Sequence, residues 1–129
     1  MTGKILLCAA LVFAIFFVVP FLAYGTCAAL TGQEPPDDVE LAVFMASVVL
    51  EKIGHTIAFV GLFYLGRRTL RDRWLWYAAA WWSMFVIAEA ALAIRSEYSW
   101  PMAYAGMISE TIYFPLAALV TRRLLTPAA

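Results

Sequence analysis

Five ionisable residues of this chain stand inside long apolar runs: Glu51, Lys52, His55, Glu89 and Glu110. A charge near the centre of a bilayer costs about 3 kcal/mol on insertion scales. Residues that bear this cost face a bundle interior, pair with one another, or line a transport or proton path. Glu51 and His55 are four positions apart and therefore stack on one helix face. Lys52 borders that face, Ser47 and Thr56 extend its polar arc, and Phe44, Val49, Ile53 and Val60 form an apolar back. Glu110 has Ser109 and Thr111 beside it and shares its face with Gly106 and Tyr113. Pro115 cannot donate to the carbonyl of Thr111, which frees an acceptor one turn from Glu110 and predicts a local kink.

These residue types suit proton exchange. Three carboxylates, one lysine and one histidine cannot all be charged in a low dielectric, so at least one glutamate is expected to hold a proton near neutral pH. Glu51, His55, Glu110 and Glu89 are the proton-binding or acid/base candidates. Lys52, Trp82, Phe85 and Tyr113 are the candidate ligand contacts. Trp82, Phe85 and Glu89 share a face at helical spacing, an aromatic wall beside a carboxylate that suits an organic cation. The same spacing is also what ordinary packing produces. A buried ion network that only fixes helix register would use the same five residues. A metal centre fits less well. Di-iron bundles use Glu-x-x-His pairs on two helices, whereas this chain has one histidine, and Lys52 would repel a cation. The expectation is no metal and no cofactor.

The elements that must position these residues are four apolar segments, about residues 5–24, 41–66, 74–94 and 102–121. Each approaches or exceeds the roughly 20 residues that cross a bilayer's hydrocarbon. The chain is 64% hydrophobic with mean hydropathy +0.82, which excludes an ordinary soluble domain. A soluble four-helix bundle would need polar outer faces, and these segments lack them. The predicted fold is all-α, a single integral-membrane four-helix bundle with up-down topology. Residues 32–38 form a turn-rich loop whose acids can cap the second helix. Arg67 to Arg73 form a charged turn. Ser99 and Pro101 supply a cap and a first-turn proline for the last helix. Gly54 and Gly61 offer places for close approach by a neighbour. Trp74, Trp76 and Tyr77 fit one aromatic belt, and Tyr98 and Trp100 the other.

Basic residues set the orientation. Lys4, Arg67, Arg68, Arg71, Arg73, Arg122 and Arg123 fall on one side; the other has Arg95 among Glu34, Asp37, Asp38, Glu40 and Glu97. Both termini are therefore expected in the cytoplasm, and a bacterial inner membrane is the expected location. The first apolar run exceeds a signal peptide's core, which predicts a retained span. Cys8 and Cys27 would stand about 28 Å apart along a helix, far beyond the roughly 7 Å a disulfide allows between alpha carbons. No basic stripe with interleaved aromatics is present, which argues against nucleic-acid binding.

Three functions compete. The first is a proton-coupled carrier or binder of a cationic or amphiphilic small molecule, working as a homodimer because four helices alone cannot enclose an alternating path. In size and span count the chain is similar to the small multidrug transporters, although their signature glutamate lies in the first span, which here carries no charge. The second is a membrane-embedded acid/base enzyme acting on a lipid-like or isoprenoid substrate, with His55 and a glutamate as base and acid. Its plan is comparable to that of four-helix sterol isomerase relatives, without their order of residues. The third is an accessory subunit of a larger membrane complex. The first span, having no ionisable group, is expected to be a lipid- or dimer-facing wall.

Overall fold

A computed structural model describes residues 2–32, 40–97 and 99–126. The described residues are all helical apart from short connections, with no strand among them: α1 (Thr2–Thr31), α2 (Leu41–Leu65), the short α3 (Arg67–Leu70), α4 (Trp74–Ile94) and α5 (Trp100–Leu125). Four of these are long and apolar enough to cross a membrane. Helices suit such segments because in hydrocarbon every backbone N–H and C=O must be satisfied within the segment. Large apolar side chains point outward all along them: Leu6, Leu22, Leu50, Ile57 and Ile87 are 61–71% exposed. In water these would be an aggregation hazard; against lipid tails they are a solvent face.

Helices α2 and α4 keep the expected bounds to within a residue, α5 runs beyond the expected 102–121 at both ends, and α1 departs most. That helix continues past Tyr24 to Thr31, because residues 25–30 remain apolar and the Thr31 hydroxyl closes the last turn on the Cys27 carbonyl at 2.8 Å. At 1.5 Å per residue α1 is about 45 Å long, more than the hydrocarbon thickness of about 30 Å. Ser99 caps α5 as expected, accepting from the Met102 N–H at 3.4 Å, with Pro101 in the first turn. Glu40 precedes α2 without a side-chain cap bond. The acids at 34, 37 and 38 expected to cap it, and the belt residue Tyr98, lie outside the described residues. Helix α5 runs through Pro115 without interruption.

Helix α5 is the centre of the bundle. It packs along α1 and α4, and α1 also packs on α2. Its inward face is mostly small: Ala103, Gly106, Ala117 and Ala118 are buried and let neighbours come close. Contacts are spaced regularly along α1 and α5. Cys8 meets Thr121, with the thiol 3.7 Å from the hydroxyl. Phe16 packs edge-on to Tyr113 at 5.0 Å and Phe114 at 5.6 Å. Tyr24 lies over Gly106. The first helix is therefore not a mere wall: Cys8, Val12, Phe16 and Pro20 are buried.

The backbones of α2 and α4 stay apart and are bridged by rings. Phe59 contacts Tyr77 at 4.8 Å and Trp81 at 5.6 Å, and Phe63 contacts Tyr77 at 5.4 Å. The Tyr77 hydroxyl donates to the Phe59 carbonyl at 2.6 Å. Tyr77 is thus a core residue rather than part of an interfacial belt. Its phenol takes the one partner that lets a tyrosine be buried here. Trp76, by contrast, is 77% exposed.

Candidate functional site

The polar residues form two groups facing each other across the α2–α4 seam. The inner group is carried by α1, α4 and α5. Gly106, on α5, leaves a hollow where a side chain would otherwise stand. The Glu89 carboxyl from α4 and the Tyr24 phenol from α1 enter it, and the Tyr24 hydroxyl donates to Glu89 Oε1 at 2.8 Å. One turn further along α5 is Glu110, only 2% exposed. Oε2 of Glu89 and Oε2 of Glu110 are both buried with no hydrogen-bond partner, as is the Thr56 hydroxyl of α2. Such orphans are costly in a low dielectric and call for an explanation: a proton, a water or a ligand group.

The second group is on α2. Glu51 Oε1 lies 3.1 Å from Lys52 Nζ and 3.5 Å from His55 Nδ1. The His55 ring stands edge-on to Phe85 at 4.8 Å. Lys52 points inward, its side chain 14% exposed, whereas the Glu51 side chain is 54% exposed. Lys52 lies within electrostatic range of both Glu89 and Glu110. Among the described residues, however, no ion pair joins α2 to either of them. The one nearby lysine is already engaged by Glu51.

The five stranded residues therefore do not share one position. Glu89 and Glu110 are in the interior, Lys52 and Thr56 face it, and Glu51 and His55 form its flank. Of the aromatic candidates, Tyr113 is buried against Phe16 and Phe114, and Phe85 stands between His55 and Phe114. Trp82 points elsewhere: its indole N–H donates to the Thr111 hydroxyl at 3.0 Å, and it is 38% exposed. The residue that continues the Phe85 row is Trp81, packed on Phe59, Phe85 and Phe114. Gly54 and Gly61 have no atom within 4 Å of a built Cβ, so within this chain they seat no neighbour.

Sequence reasoning missed Tyr24, since a phenol at the end of a charge-free span has no local pattern tying it to a glutamate 65 residues away. Among the described residues, no three of the His, Cys, Asp and Glu side chains come together as a metal-ligating set. No family model, curated protein or solved structure matches this chain.

Proposed function

We propose that the protein is a small proton-coupled carrier or binder of a cationic or amphiphilic molecule, and that Glu89 and Glu110 hold the exchangeable proton. One observation carries this reading: two buried carboxyl oxygens lack partners, while the only lysine within range is tied to Glu51. Buried carboxyls of this kind are relieved by a proton, and a cation that supplies positive charge displaces that proton. Tyr24 holds the Glu89 carboxyl in place, and Lys52 limits the net negative charge that a ligand must neutralise. Phe85 and Tyr113 supply ring faces and edges for the apolar part of the ligand.

The same reading includes an up-down bundle with both termini in the cytoplasm of a bacterial inner membrane, acting as a homodimer. It is supported by the pairing of early α1 with late α5, and by Arg122 lying 5.8 Å over the Trp74 ring, which gathers the basic segments at one end.

The test is uptake of a labelled organic cation into proteoliposomes across an imposed pH gradient. Glu110→Gln and Glu89→Gln should abolish gradient-driven uptake while leaving the unfolding transition intact. Uptake unchanged in both variants refutes the proposal. Turnover of a lipid-like substrate in detergent without a gradient would instead favour acid/base catalysis.

A further inference from the structure

Helix α2 is packed along only half its length. Its buried residues are Thr56, Phe59, Val60 and Phe63, all in the second half. Among the described residues, every hydrogen bond and ring contact between α2 and α4 lies between the His55–Phe85 level and the arginine turn. The facing row on α4 changes at that level: Tyr77, Trp81 and Phe85 are followed at the same spacing by Glu89, whose carboxyl turns into the Gly106 hollow, with the exposed Ala88 beside it. Opposite, one turn before His55, stands the half-exposed Glu51. Rings thus close the seam at one end; at the other, among the described residues, no hydrogen bond or ring contact joins the two helices, and the inward-pointing Lys52 of α2 stands at that level. The unbridged part lies beside the carboxyls of Glu89 and Glu110.

We infer that the α2–α4 seam beyond His55 and Phe85 is a side entrance from the bilayer, and that the ligand is a single-chain cationic amphiphile. Its head meets the unpartnered oxygens of Glu89 and Glu110, and its tail stays in the seam against lipid. Charge complementarity selects the head, since two carboxyls with free oxygens face one lysine that is already paired. Apolar contacts for the tail come from Ala88 and the half-buried Leu92 on α4 and from the partly buried Val48 on α2, one turn beyond Glu51 and Lys52. This inference rests on the proposed function and names the ligand class for that site.

The test compares uptake of dodecyltrimethylammonium and tetramethylammonium in proteoliposomes. Ala88→Trp should fill the seam, lowering dodecyl uptake by about tenfold or more and changing uptake of the compact cation by less than about twofold. Leu50→Trp, on the outward face of α2, controls for added bulk and should change neither. The inference is overturned if Ala88→Trp matches Leu50→Trp, or if it lowers both cations equally. Loss of both with Glu110→Gln supports the head site. If Glu110→Gln and Glu89→Gln both leave the two cations' uptake unchanged, the carrier reading itself fails, whatever Ala88→Trp does.

Discussion

Gly106→Ala should be among the most damaging single-methyl additions in this protein. A Cβ at that position would stand 2.5 Å from the Tyr24 hydroxyl, 2.6 Å from Glu89 Cδ and 2.7 Å from Glu89 Oε1. Comfortable separations begin near 3.5 Å, so both side chains must retreat. Overpacking of this kind costs about 1–3 kcal/mol. Losing a hydrogen bond to a carboxylate costs about 1.5–3 kcal/mol more. Replacing a mid-helix glycine by alanine returns about 1 kcal/mol. The expected net loss is about 1.5–5 kcal/mol. Equilibrium unfolding in mixed detergent micelles, followed by tryptophan fluorescence, would measure it. Tyr24→Phe supplies the second arm: with the hydroxyl gone, the added methyl should cost at least about 0.5 kcal/mol less than in the wild type. The reasoning is refuted if Gly106→Ala unfolds at the wild-type midpoint, or if its cost is the same in both backgrounds. Gly54→Ala and Gly61→Ala meet open space and should not destabilise the monomer.

Other outcomes follow from single contacts. Cys27, partly exposed, should react with a membrane-permeant maleimide in the folded protein, whereas Cys8, fully buried, should react only after unfolding; mass spectrometry of the labelled protein distinguishes them. Ser99→Ala removes the cap of α5 and should cost about 0.5–2 kcal/mol in the same unfolding assay. Arg95 and Glu97 pair at 3.1 Å with both side chains exposed, so Glu97→Ala should cost less than about 1 kcal/mol, and less again in high salt. Alkaline phosphatase fused after Arg123 should be inactive, and fused at Glu40 active, if the arginine-bearing end faces the cytoplasm.

What the sequence made legible is what depends on composition and local spacing. Hydropathy and length located the spans, and Ser99 and Pro101 marked the start of α5, because capping is a contact across three residues. The candidate carboxyls stood out because a charge in hydrocarbon is costly wherever its partners are. What stayed hidden depends on which neighbours a helix has. Trp82 shares a helical face with Phe85, yet α4 lies between two helices, and a modest rotation about its axis sends Trp82 to Thr111 and Phe85 to His55. Tyr77 resembled a belt residue because its position near a helix end says nothing about a carbonyl acceptor on α2. Gly106 is one of several glycines inside the long helices, with Gly25, Gly54 and Gly61, and only packing distinguishes it. Helix α1 runs past the expected end at Tyr24 because the largely apolar residues beyond it keep the helix going.

The pairing of α1 with α5 has a consequence for biosynthesis. Of the four long helices described, the one made first has its most extensive contacts with the one made last. Between the end of α1 and the end of α5 lie about 90 residues, roughly 5–20 s of translation. Until α4 and α5 are made, Cys8, Phe16 and Tyr24 must reside in lipid or against α2. A charge-free sequence tolerates the wait, and one carrying a glutamate would not. Glu89 and Glu110 emerge late, when the Tyr24 phenol is already in the membrane to meet the first of them. The uncharged character of the first span is thus what fits it to be the bundle's waiting template.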